Sequence, residues 1–208
     1  MSPKVMARLQ ALAAATRQAG DDMSVVGDRF HRMSHRHENG TAPRAVIAPQ
    51  LFQTPEGLAE RLVGLLGDIT GKSVLEPQAG CGRLVRALKK AGAGDITGID
   101  IAADCVAVTK PLVDDMIHAD FLQLTPEKIG WFDCIAMNPP FTMRSDIKHI
   151  LHARKFLFHR GKIAGLCMAG QKREDELKPL CDTWERIPAG TFKEAGTQIE
   201  TILFSMIV

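Results

Sequence analysis

From about Leu51 onward the chain alternates short apolar runs with helical stretches, and no other feature narrows its possible folds so far. The runs fall at Ser73–Leu75, Asp95–Ile99, Met116–Ile117, Phe132–Met137 and Ile163–Met168, and a β-rich segment, Glu200–Val208, closes the chain. Between them lie helical patterns at Leu84–Ala91, Ile101–Lys110 and Asp146–Phe158. A further helix opens at Thr54-Pro55-Glu56, with Thr54 as N-cap and Pro55 at the first helical position. Its Leu58, Leu62 and Leu65 fall on one face. Strands with helices between most of them imply βαβ units on a mostly parallel sheet, so the expected class is α/β, doubly wound. With 208 residues there is room for one such domain, placed at 49–208, and an appendage at 1–48. The appendage reads as a helix from Pro3 to Arg17 followed by a polar arm rich in His and Arg.

Composition excludes several classes. No apolar run approaches the roughly 18–20 residues of a membrane helix, so no membrane partner is expected. Five cysteines with no CxxC pair argue against a disulfide scaffold and for a reduced, cytoplasmic compartment. His31, His35 and His37 lack supporting Cys or acid spacing; they read as a solvated loop, and no metal site is expected. A formal net charge of +2 does not by itself select a partner.

The first informative turn is Glu76-Pro77-Gln78-Ala79-Gly80-Cys81-Gly82, where a strand ends in an acid, passes two glycines and enters a helix. Glycine at 80 and 82 lets a ligand approach the backbone closely. A dinucleotide fingerprint would require glycine where Val85 stands, and the Lys-Ser/Thr pair of a phosphate loop is missing. Asp100 ends the second strand, where an acid is placed to hold ribose hydroxyls. Asp120-Phe121 follows the third, an acid beside an aromatic suited to an adenine edge and face.

The most specific signal is Asn138-Pro139-Pro140-Phe141 after the fourth strand. Two prolines make a rigid extended turn that holds Asn138 at the carboxyl edge of the sheet. The Asn side-chain oxygen and the next backbone carbonyl can accept both hydrogens of an exocyclic amine, which favours a tetrahedral nitrogen with its lone pair aimed at an electrophile. Phe141 is expected to offer a flat face to an extruded base.

These motifs resemble the class I methyltransferases that use S-adenosyl-L-methionine (SAM), and specifically the amino-methylating branch, over roughly Leu51 to Val208. The resemblance implies a seven-stranded sheet whose last strand inserts antiparallel, with Gly190–Thr197 and Ile202–Phe204 similar to the paired final strands. It implies SAM as cofactor, held by Phe52, Thr54, Pro55, Glu76, Gln78, Gly80, Gly82, Asp100, Ile101, Asp120, Phe121 and Asn138. It makes Asn138, Pro139, Pro140 and Phe141 the catalytic tetrapeptide. The order of motifs is that of DNA adenine enzymes, so N6-adenine in DNA is the expected acceptor. The chain ends at the last strand without a target-recognition domain, which suggests low sequence specificity and a phage or restriction-modification setting. An RNA base is the alternative acceptor, and a non-catalytic nucleic-acid-binding or partner subunit the alternative of another class. Charge agrees with a polyanion: six Arg or Lys residues stand against one acid between Thr142 and Lys162. Arg144 and Lys148, nearest the turn, are the candidate phosphate contacts, with Arg32 and Arg36 of the arm.

Overall fold

The computed structural model describes residues 53–191 and 199–208. The expected N-terminal helix and arm, with Phe52, Arg32 and Arg36, lie outside the described residues.

The elements are α1 (Glu56–Gly64), β1 (Val74–Glu76), α2 (Arg83–Lys90), β2 (Ile96–Asp100), α3 (Ala103–Thr109), β3 (Asp115–His118), α4 (Pro126–Ile129), β4 (Phe132–Met137), α5 (Ser145–Ala153), β5 (Leu157–Met168), α6 (Gln171–Glu176), β6 (Thr183–Ile187) and β7 (Thr201–Ile207). The strands form one seven-stranded sheet in the order β3-β2-β1-β4-β5-β7-β6. The first five are parallel, and β7 runs antiparallel between β5 and β6. The expected doubly wound, mostly parallel sheet with an inserted antiparallel last strand is what the chain forms.

Side chains alternate across the sheet, so neighbouring residues feed opposite layers. Val74 joins a core with Leu58 and Leu62 of α1 and Leu84 and Leu88 of α2. Leu75, one residue on, joins Ile135, Met137 and Ile163 against Ile147 and Ile150 of α5. Helices on both faces bury β1 completely, which explains why its three residues show no polar alternation.

Two sequence expectations are corrected. The helix predicted for Asp146–Phe158 ends at Ala153; a short 3-10 turn follows, and Leu157 and Phe158 already belong to β5. The cause is Phe156-Leu157-Phe158, an apolar run that suits a pleated surface, with Phe156 wholly buried beneath the sheet. The last strand pairs with β5 and with β6 at Thr183–Ile187, earlier than the Gly190–Thr197 segment expected to fill that role, of which residues 192–197 lie outside the described residues. Gly190 and Thr191 form a turn beyond β6.

The chain winds outward from β1 to β3 on one side, then returns to place β4 on the other. Loops leaving the carboxyl ends of β1 and β4 therefore diverge and open a crevice at the switch point. Both informative motifs follow these two strands.

Candidate active site

The turn after β1 is a backbone structure first. Ala79 N–H donates to Ile99 O at 2.8 Å, tying the turn to β2, and Gly82 N–H returns to Ala79 O at 2.8 Å. The Thr109 hydroxyl donates to Gly80 O at 2.7 Å. Gly80 and Gly82 both have positive φ, +50° and +76°. Their surroundings differ. A Cβ at Gly82 would lie 2.8 Å from Leu112 Cδ1, whereas at Gly80 the nearest atom is Gln78 O at 3.9 Å. Gly82 is favoured by its left-handed backbone with Leu112 close by, and Gly80 keeps a space open. Gly82→Ala is accordingly expected to cost about 1–3 kcal/mol in urea unfolding, from left-handed strain plus overpacking.

Glu76, Gln78, Gly80, Asp100, Ile101, Asp120 and Phe121 line one cavity of about 370 Å³ with Thr54, Asn138, Pro139 and Pro140. That size lies within the range of small-molecule sites. Asp100 is held from both sides, Oδ2 accepting from Gly80 N–H and Oδ1 from Ala102 N–H, each at 2.8 Å. Each carboxylate oxygen retains a second lone pair for a hydroxyl. Asp120 Oδ1 accepts from Leu122 N–H at 3.0 Å. The Gln78 side-chain oxygen and nitrogen and Glu76 Oε2 are buried with no partner among the described residues. Buried polar groups normally have partners, so unpaired ones at a cavity wall are available to a polar ligand.

Burial pushes the Glu76 carboxyl well above the usual carboxylate range, and the negative charge of Asp100 adds to the effect. A carboxyl whose pKa is raised on folding contributes full stability only below its ordinary value, here 4.5, and loses it as pH rises toward the folded value. Glu76→Gln removes this loss. In melting scans of the ligand-free protein, the variant's Tm advantage over wild type should be absent near pH 4 and widen above about 4.5. A gap independent of pH would contradict it.

At the other wall, Asn138 emerges from β4. Its Nδ2 donates to Thr54 Oγ1 at 3.0 Å, and Thr54 is itself buried. The residue expected as a helix cap makes no capping hydrogen bond; Pro55 occupies the cap position. Thr54 instead fixes the asparagine amide so that Oδ1 is the atom offered as acceptor. Phe141 departs from expectation: it is 6% exposed and packs in the α1–α2 core, away from the cavity lining. The stacking face expected of it is buried among the apolar side chains of that core.

Sequence reading missed Ser145 and His149, which also line the cavity. His149 Nδ1 lies 2.8 Å from Ser145 O, so that nitrogen carries the hydrogen and Nε2 the lone pair. Burial lowers the His149 pKa and keeps the ring neutral. Its ring stacks on Phe121 with centroids 6.2 Å apart. The available signal was the i,i+4 spacing of Ser145 and His149, directly after the turn.

The basic stretch is divided by the fold. Arg144 and Lys148 are exposed near the turn. Leu157 pairs with Phe132 at the start of β4, so Lys155 and Arg160 lie toward the opposite edge of the sheet. Pro55, Gly82, Arg144 and Lys148 do not line the cavity.

One cluster braces the turn from behind. Arg173 Nε donates to Asp146 Oδ2 at 3.1 Å and Nη2 to Asp146 Oδ1 at 2.9 Å, while Nη2 also reaches Phe141 O at 3.4 Å. Met168 N–H donates to Asp146 Oδ2 at 3.0 Å. Both charged side chains are buried, at 7% and 0% exposure. Between the two braced points, Met143 and Arg144 take φ of +47° and +60°.

No family model matches the chain. It is 30% identical over 112 residues to the type II methyltransferase M.TthHB8I of Thermus thermophilus, an overlap of 52% of this chain and 26% of that protein. The chain thus spans about a quarter of that relative's length. Among solved structures, a modification subunit of a candidate type I restriction enzyme from Vibrio vulnificus superposes with TM-score 0.60 at 15% identity, covering 89% of this chain and 49% of that one. The Thermus thermophilus 16S rRNA N2 methyltransferase RsmC, solved with AdoMet and guanosine, gives TM-score 0.56 at 18% identity over 78% of this chain and 44% of that one. Among the described residues no helix is long and apolar enough to cross a membrane. Order of strands, antiparallel insertion of β7 and these likenesses together give the chain the fold of the class I SAM-dependent methyltransferases.

Proposed function

We propose that the chain binds SAM in the switch-point cavity and transfers its methyl group to the N6 amine of adenine in DNA. The observation that carries this reading is Asn138 at the carboxyl end of β4, lining the cavity with its amide nitrogen engaged by Thr54. The donor set fits the cofactor. Asp100 suits ribose hydroxyls, Asp120 an adenine amine, and the unpaired Gln78 and Glu76 atoms polar groups of the amino-acid end, with Gly80 leaving room between them. When bound, SAM supplies a sulfonium-activated methyl group. The chain's own part is positioning. Asn138 Oδ1 and the backbone carbonyl of the Pro-Pro turn accept from the two amine hydrogens and direct the nitrogen lone pair into the cavity. No base is needed before transfer, because the extra proton leaves the product afterwards.

DNA is favoured over RNA because the relative in sequence is a type II methyltransferase and one structural neighbour a restriction-enzyme modification subunit. Arg144 and Lys148 are proposed to contact the phosphate backbone, and Arg32 and Arg36 of the basic arm at 1–48 are separately proposed as phosphate contacts. The test is incubation with isotopically labelled SAM and separate pools of duplex DNA, single-stranded DNA and RNA, followed by digestion and mass spectrometry of the nucleosides. Label in N6-methyladenine from DNA is expected. Label confined to RNA would replace the acceptor, and no label with SAM bound would replace the reaction.

A further inference from the structure

The Pro-Pro turn is followed by a short loop, Thr142 to Ser145, whose two ends are held by one guanidinium. Arg173 bonds Phe141 O on one side and the Asp146 carboxylate on the other. The loop bridges this fixed span by placing two successive non-glycine residues, Met143 (φ 47°, ψ 33°) and Arg144 (φ 60°, ψ 30°), in the left-handed region. L-residues avoid that region, and strain of this kind persists only where the surroundings impose it. Its effect here is to hold Met143 out in solvent at 95% exposure, the highest of any large hydrophobic among the described residues. A lone exposed apolar residue is ordinary. One held out by two strained residues and a buried ion pair, between the cavity-lining Pro140 and Ser145, is not.

We propose that Met143 is a wedge that enters the base stack in place of the adenine drawn into the cavity. The inference rests on the function proposed above. Its chemistry is that of duplex DNA: the target must leave the stack for Asn138 to reach its amine, and the gap between the flanking bases is apolar on both faces. An unbranched, polarisable thioether chain adapts to such a gap, and apolar side chains are used in this way to part base steps. Arg144, exposed beside it, is placed to meet the phosphate next to the opened step.

The test compares wild type, Met143→Ala and Met143→Leu on the DNA sequence methylated best in the preceding experiment. That sequence is offered as a single strand, as an intact duplex, and as a duplex with an abasic site opposite the target adenine. With a wedge, Met143→Ala loses on the order of tenfold in kcat/KM on the intact duplex, stays within about twofold of wild type on the single strand, and regains most of its loss where the opposing base is missing. Met143→Leu keeps duplex activity within about threefold, since it still fills the gap. SAM affinity, measured in parallel, is unchanged in both variants and reports on folding. Full duplex activity in Met143→Ala overturns the wedge alone, as does equal loss on single strand and duplex, or a wild type active only on single strands. A wild type that methylates no DNA removes the proposed function and the wedge with it.

Discussion

Asn138→Ala is expected to lower the rate of methyl transfer by roughly 10²–10³-fold, the usual effect of deleting one preorganised polar group at a reacting centre. SAM affinity should change by no more than a few-fold, because the polar groups matched to the cofactor lie on the loops after β1, β2 and β3. Stability should fall by about 1 kcal/mol, as Thr54 Oγ1 loses its amide partner at a buried position. Asn138→Asp is the informative companion. It keeps an acceptor oxygen in place, and the Thr54 hydroxyl can turn to donate to the carboxylate where it previously accepted from the amide. Its activity should therefore fall between wild type and Asn138→Ala. Single-turnover rates and calorimetric SAM binding separate the two effects. Equal loss of rate and of SAM binding in Asn138→Ala would mean that the residue belongs to the cofactor wall and not to the acceptor.

The reason Asn138 could be found from sequence is local. Phe132–Met137 is a continuous apolar run, the mark of a strand buried on both faces, and Pro139-Pro140 must end it. The acids at 76, 100 and 120 were legible in the same way, because each follows an apolar run whose end places it at the sheet's carboxyl edge. What stayed hidden depends on partners distant in the chain. β6 carries Glu185 and Arg186, which pair with Arg61, Glu174 and Glu200, so its composition shows charge where a buried strand would show none. Phe141 looked like a stacking platform because it follows Asn138-Pro139-Pro140; its burial in the core depends on side chains distant in the chain. The mixed-charge segment Gln171–Lys178 contains Arg173, whose partner stands 27 residues earlier. Periodicity detects which face of a helix is buried, and an isolated buried charge breaks that pattern.

That hidden pair carries the other large expected effect. Arg173→Met should destabilise the protein by about 3–5 kcal/mol, since it leaves the Asp146 carboxylate buried with Met168 N–H as its one remaining hydrogen-bond donor among the described residues. Against a total of roughly 5–15 kcal/mol, such a loss is large. The control lies on the same helix. Lys172 and Glu176 form an i,i+4 pair at 51% and 35% exposure, and Lys172→Ala should cost no more than about 1 kcal/mol. The double variant Arg173→Met with Asp146→Leu removes both charges and should recover much of the loss, so urea unfolding of the four-member cycle reads the coupling directly. Recovery of stability need not restore activity. With the guanidinium gone, Phe141 O is no longer tethered to the start of α5, and the strained loop between them can relax toward ordinary backbone angles. A double variant as stable as wild type but slower on duplex DNA would locate the pair's contribution in the geometry of the loop. One as stable and as fast would assign the pair to folding alone.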